Sequence, residues 1–301
     1  MVAKGSDVRP RAGRRVRLAG LGVGSAALLT LLTGCDVGRT FGGFGFPIEG
    51  ITPQANRMYD LWIGAVIAAI AVGAFVWALI FWCIFRYRKR GEELPVQTRY
   101  NMPMEILYTV TPILVVCVLF YYTALVQSDV DNTDKPADIT VEVVASKWNW
   151  QFNYLEPGTQ TDNGSVVSTT GSSDIIPVLV LPTGKSIRFE QNSRDVIHSF
   201  WVPELLFKRD VFPGDVRTTF VVDEIQQEGA YVGRCAELCG SYHSMMNFEV
   251  RVVSPEQYER YIAARQAGQS TQEALTAIGE EPYAVTTFPF DTRRDVQNFN
   301  N

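Results

Sequence analysis

"ITVEVVASKWNWQFNY", residues 139–154, alternates apolar and polar side chains over most of its length. A period of two puts one face of an extended chain against a core and the other toward water. Three later stretches are built in the same way: "IIPVLVLPTGKSIRFEQNS" (175–193), punctuated by Pro and Gly, then "VRTTFVVDEI" (216–225) and "NFEVRVV" (247–253). No long helical pattern separates them, so residues 129–253 are expected to form a sandwich or barrel of antiparallel strands. Residues 155–175 are rich in Gly, Ser, Thr and Asp and read as a long loop outside the compact core. After Val253, Ser254-Pro255-Glu256-Gln257 has the N-cap serine, N1 proline and N3 glutamine of a helix start. A terminal surface helix is expected there, with a loosely ordered tail beyond about residue 282.

Upstream of this region the chain changes character. The run "LAGLGVGSAALLTLLTGC" (18–35) follows the basic segment RPRAGRRVR, the order of an export signal, and Leu32-Thr33-Gly34-Cys35 resembles a bacterial lipobox. Residues 1–34 are therefore expected to be removed, leaving a lipidated Cys35 as the mature N-terminus and residues 36–57 as an outer linker. Leu61–Phe85 then runs 25 residues without a charge and Ile106–Val126 runs 21, each enough to cross a hydrocarbon core of about 30 Å. Together they predict a transmembrane hairpin over residues 58–128; Pro112 is no obstacle, because spanning helices tolerate it. Arg86, Arg88, Lys89, Arg90 and Arg99 lie between the spans and place that loop in the cytoplasm, so the region after residue 128 is expected on the outer face of a bacterial plasma membrane. The chain carries a formal charge of −5, and residues 129–301 hold 14 Lys and Arg against 25 Asp and Glu. Such an acidic domain argues against nucleic acid and suits either a basic partner or simple solubility.

"RCAELCGSYHSMM" (234–246) gathers two thiols, an imidazole and a thioether, and the chain has only two histidines, His198 and His243. Outside the membrane, a Cys235–Cys239 disulfide is the default, and zinc in a Cys2His2 site is the next choice. Neither uses Met246. Soft sulfur donors beside imidazole favour copper, and a second thiolate favours two ions over one. From residue types alone copper leads, with the disulfide and zinc still open.

The pattern C-A-E-L-C-G-S-Y-H-S-M-M resembles the C-x-E-x-C-G-x-x-H-x-x-M motif of cytochrome c oxidase subunit II, the family that carries the binuclear CuA centre. "DVIHSFWVP" (195–203), "SKWNWQFNY" (146–154), "LLFKRDVFPGD" (205–215) and "MEILYTVTPI" (104–113) resemble other elements of that family, and the similarity covers roughly residues 58–265. The resemblance implies a two-helix transmembrane hairpin followed by an all-β, cupredoxin-like Greek-key domain. It implies copper ligation by His198, Cys235, the Glu237 carbonyl, Cys239, His243 and Met246, and a Mg or Mn ion at the Glu237 side chain shared with subunit I. It further implies that Trp148 receives electrons from cytochrome c and that Glu105 stands at the entrance of a proton channel. The expected partners are oxidase subunits I and III, with haem confined to the partner, and as donor cytochrome c or a cytochrome-bearing bc-type complex. Quinol oxidase subunits share the topology but lack the copper ligands, and no C-x-x-C-H haem motif occurs in this chain. Asp215 stands where an arginine is usual, Lys147 and Asn149 flank Trp148, and the 155–175 loop looks enlarged.

Overall fold

The computed structural model describes residues 50–92, 94, 96–161 and 164–289. The export segment, Cys35 and most of the expected outer linker lie outside the described residues.

Helix α1, Pro53–Arg86, starts where the Thr52 side chain accepts from the Ala55 amide and Pro53 fills the first turn. Helix α2, Met102–Val130, starts at Asn101, whose side chain accepts from Met104 N, while Glu105 accepts from Asn101 N at 3.0 Å. At about 1.5 Å per residue both exceed a hydrocarbon thickness of about 30 Å. Their central windows have mean hydropathies of 2.6 and 2.1 and are not covered by the rest of the chain. The chain is thus a two-pass membrane protein with an extramembrane domain.

That domain has ten strands among the described residues: β1 Ile139–Ser146, β2 Asn149–Tyr154, β3 Ser168–Thr170, β4 Val178–Pro182, β5 Ile187–Ser193, β6 His198–Val202, β7 Phe207–Val211, β8 Thr218–Val222, β9 Gly229–Cys235 and β10 Asn247–Val253. They form two five-stranded sheets, ordered β3-β2-β1-β5-β8 and β4-β10-β9-β6-β7. The expectation of purely antiparallel pairing fails at β1–β5 and β4–β10, which are parallel. After β3 the chain crosses to the second sheet as β4 and returns as β5, and a strand reached by a crossover can run beside β1 in the same direction. The alternation that begins at Ile139 is realised as buried Val141, Val143, Trp150, Phe152 and Tyr154. The core is aromatic. Phe200 stacks on Phe248 with centroids 4.7 Å apart and lies 5.3 Å from Phe189, and Trp150 meets Phe248 at 5.3 Å. Such pairs contribute about 0.5–1.5 kcal/mol each beyond burial.

Three boundary expectations need correction. First, residues 50–57 are no linker: Ile51, Thr52, Gln54 and Ala55 are buried, and Ile51 and Gln54 are bonded into the β domain. Second, the 155–175 segment enters the core. It includes β3, buries Thr159, Val167 and Thr169, and is tied to the C-terminal helices by Arg265 to Ser168 O and Gln266 to Gln160 O. Third, the terminal helix is a pair, α3 Pro255–Gln266 and α4 Thr271–Ala277, each opened by a capping box, at Ser254/Gln257 and Ser270/Glu273. Both pack inward through Tyr258, Tyr261, Ile262, Ala274 and Leu275. Of the expected tail, Val285 and Thr286 are held: Glu249, with no exposed surface, accepts from Val285 N (2.7 Å), Thr286 N (2.8 Å) and Thr286 Oγ1 (2.8 Å). Its partner Arg251 reaches Glu280, Glu281 O and Tyr283 O. The alternation in "NFEVRVV" points both charged residues away from the sandwich core, and the strap of residues 280–286 covers them.

Glu156 lies in this packed corner. One carboxylate oxygen accepts from Tyr258 Oη at 3.2 Å and the other is buried without a partner. Burial raises its pKa above the ordinary 4.5, against smaller opposing hydrogen bonds. A raised folded-state pKa means that the folded chain binds more protons than the unfolded one just above the ordinary glutamate range, so stability falls as pH rises through that window. Glu156→Gln is expected to abolish this slope and raise the melting temperature at neutral pH, as measured by thermal unfolding between pH 4 and 8. A variant that melts lower than the parent at neutral pH would contradict it.

Candidate metal centre

The centre forms where two strands of the second sheet end. β6 and β9 are antiparallel neighbours with Phe200 opposite Cys235, which sets His198 at the head of β6 beside the loop leaving β9. Ala236 N donates to Ser199 O (3.0 Å) and Cys235 N to Met246 O (3.1 Å), pinning both ends of that loop. A short 3-10 turn, His243–Met245, returns the chain to β10.

The donors converge. Cys235 Sγ lies 3.8 Å from Cys239 Sγ and 3.8 Å from His198 Nδ1, while Cys239 Sγ lies 3.7 Å from His243 Nδ1 and 3.8 Å from Met246 Sδ. The Glu237 carbonyl is 3.3 Å from Cys235 Sγ. Both thiols are free, at a separation far beyond the ~2.05 Å of a disulfide bond. His198, Cys235 and Met246 are buried, with His198 fully so.

Electrostatics show what the pair lacks. Burial opposes ionisation of Cys235, but hydrogen bonds involving His198, the Ser199 and Glu237 backbone and His243 outweigh it and lower the thiol to about 7. Burial and the neighbouring Cys235 charge push Cys239 up to about 12. Two adjacent buried thiols ionise together far more readily beside a cation, so this donor set would suit a metal held by Cys235 and Cys239. The thioether and the two imidazoles complete a set suited to copper.

Two tryptophans brace the loops. Trp150 Nε1 donates to Met246 O at 3.1 Å and its ring lies 6.2 Å from the His198 ring. Trp148, half-buried, donates to Cys239 O at 3.3 Å and meets Tyr242 edge-on at 4.9 Å. Gly240, at φ +123°, suits this contact twice over: the backbone favours glycine, and a Cβ there would sit 3.2 Å from the indole. The Glu237 side chain is exposed, and Glu105 lies far along the chain, capping the start of α2.

Residues 139–253 match the family described as cytochrome c oxidase subunit II, periplasmic domain, and residues 41–124 match the corresponding transmembrane domain. The chain is 43% identical to a probable cytochrome c oxidase subunit 2 of Nocardia farcinica, over 97% of this chain and 92% of that one. It is 42% identical to cytochrome c oxidase subunit 2 of Mycobacterium tuberculosis, over 96% and 94%. The chain belongs to the cytochrome c oxidase subunit II family. The crystal structure of the periplasmic domain of subunit II of cytochrome oxidase from Bradyrhizobium japonicum is 27% identical, covers 45% of this chain and 99% of its own, and superposes with a TM-score of 0.37.

In this subunit II the sequence missed Asp195 and Gly233. Asp195 Oδ1 takes His198 Nε2 at 2.8 Å, and Asp195 also accepts from Lys147 N and Val196 N, both at 2.7 Å. This partner fixes the tautomer that turns Nδ1 toward Cys235, and it joins the loop bearing Trp148 to the loop bearing His198. An acid three residues before a histidine carries no spacing signal of its own. Gly233 lies where a Cβ would come within 2.1 Å of the Phe248 ring, so the close approach of β9 to that ring requires glycine.

Proposed function

We propose that this subunit II accepts electrons from a cytochrome c at a binuclear copper centre held by His198, Cys235, the Glu237 carbonyl, Cys239, His243 and Met246, and passes them to haem in subunit I for oxygen reduction coupled to proton pumping. The observation that carries this is the pair of unbridged buried sulfurs 3.8 Å apart, with imidazole nitrogens on either side. When bound, two coppers sharing one electron spread its charge and so need little rearrangement on oxidation or reduction. The chain's own residues hold the donors still: Asp195 orients His198, Trp150 holds the Met246 carbonyl, and the strand ends exclude water around His198. Trp148 spans the distance from the surface to the Cys239 carbonyl, which supports it as the residue that receives electrons.

Several assignments follow from family likeness alone. The Glu237 side chain would hold a Mg or Mn ion with subunit I, and Glu105 would stand at a proton entrance. Subunits I and III would be partners, and Cys35 would carry the lipid anchor. The basic loop 86–99 supports the β domain on the outer face. The 155–175 segment, packed against the C-terminal helices, and a lipidated Cys35 motivate a donor held at the membrane, such as a cytochrome-bearing bc-type complex, over a freely diffusing one.

Electron paramagnetic resonance of the purified oxidase tests the centre. A mixed-valence, many-line copper hyperfine pattern is expected, and a metal-free chain with a Cys235–Cys239 disulfide under reducing and oxidising conditions alike would overturn the reading. Asp195→Ala is expected to lower copper retention against a competing chelator by roughly 10–100-fold, the usual cost of losing a partner that orients a ligand. Retention equal to the parent's would remove Asp195 from this role.

A further inference from the structure

Electrons that reach the centre must also leave it toward the membrane, so the pose of the β domain over its helices bears on the rate of release. We propose that Gln54 and Arg57 are positioning residues that lock the β domain to the first membrane helix and thereby set the path by which electrons leave the copper centre. The inference rests on the copper reading above and adds to it a function for residues far from the metal.

Gln54 is 4% exposed and uses both ends of its amide on β8 and the residue after it: Nε2 donates to Val221 O at 3.0 Å, and Oε1 accepts from Asp223 N at 2.7 Å. A two-point amide contact fixes direction as well as distance. One turn earlier, Ile51 N donates to Glu204 O (3.2 Å) and Ile51 O accepts from Gln226 N (2.8 Å), so the chain ahead of α1 is bonded on both sides. Glu204 belongs to the 3-10 turn that directly follows β6, the strand headed by His198. The route from membrane helix to metal ligand therefore runs through hydrogen-bonded chain with no free linker.

Around this plug the charges alternate in sign. Arg57 Nη2 lies 2.6 Å from Asp129 on α2 and 2.8 Å from Asp223, and Lys135 Nζ lies 2.9 Å from Asp129 and 3.2 Å from Asp223. Arg209 pairs with Asp131 at 2.9 Å beside it. Exposed ion pairs taken singly add little stability, whereas a network linking α1, α2 and the domain also restrains geometry. Gln54 supplies the buried contact, and the four charges hold both helices to the same residue of the domain.

The test uses the intact oxidase with Gln54→Ala combined with Arg57→Gln. Deuterium uptake by residues 50–57 and 221–226 is expected to rise, because the amides of Ile51 and Asp223 lose their shelter. The copper hyperfine pattern and the first, pre-steady-state oxidation of reduced donor are expected to match the parent's. Electron transfer from the copper centre to subunit I is expected to slow severalfold, because electron transfer weakens steeply as donor and acceptor move apart. Arg57→Lys in an otherwise parental chain keeps a cation between Asp129 and Asp223 and is expected to retain most of the parental rate. Unchanged deuterium uptake would show that these residues lock nothing, and an unchanged release rate in a joint that has opened would overturn the proposal. A changed copper pattern would also overturn it, by tracing the effect to the metal loops. Absence of the copper pattern in the parent would refute the copper reading instead, while the deuterium result would still judge the lock.

Discussion

Cys239→Ser is expected to abolish the mixed-valence copper pattern and electron transfer through this subunit, with the β domain still folded. The sulfur at this position faces three others of the donor set: Cys235 Sγ at 3.8 Å, His243 Nδ1 at 3.7 Å and Met246 Sδ at 3.8 Å. A serine hydroxyl is a hard donor that does not ionise near neutral pH, so it cannot share a soft cation with Cys235. The fold should survive because the aromatic stack around Phe200 and Phe248 does not depend on the thiol, and circular dichroism serves as the control. A variant that retained the many-line pattern would remove Cys239 from the bridge. Cys235→Ser should behave in the same way.

Trp148→Phe should leave the copper pattern intact and slow the oxidation of reduced cytochrome c severalfold or more, because the indole contact that joins the surface to Cys239 O is lost. Phenylalanine keeps a ring near Tyr242 but has no N–H to donate to Cys239 O, which Trp148 reaches at 3.3 Å. The contrast with Trp150 is informative. Trp150→Phe should disturb the copper pattern itself, because that indole holds the carbonyl of Met246 and is fully enclosed. Stopped-flow oxidation of the donor beside spectroscopy of the centre separates the two. Equal donor oxidation in parent and Trp148→Phe would end the assignment.

Much of this arrangement was legible because its parts are local. The strands announce themselves by alternation, the spans by uncharged length, and the donor loop by thiol, imidazole and thioether within one short stretch. His198 could be paired with that loop because the chain has just two histidines. What stayed hidden is contact between distant residues that have no pattern of their own. Gln54 and Val221 are 167 positions apart, and a lone glutamine before a membrane span looks like linker. β3 is three residues long, too short for alternation to register, so its segment passed for a loop. The parallel pairings of β1 with β5 and β4 with β10 depend on where the chain crosses between sheets, which periodicity does not encode.

The strap from Glu280 to Thr286 decides where this protein can be cut or extended. Shortening the chain before Val285 would withdraw three donors from the wholly enclosed carboxylate of Glu249, leaving a charge that neighbouring Arg251 alone would have to balance. A hydrogen bond to a charged group contributes about 1.5–3 kcal/mol, so losing three of them is enough to compromise a marginally stable domain. Affinity tags, protease sites and fluorescent fusions therefore belong after residue 289, where the added sequence leaves the carboxylate's partners in place.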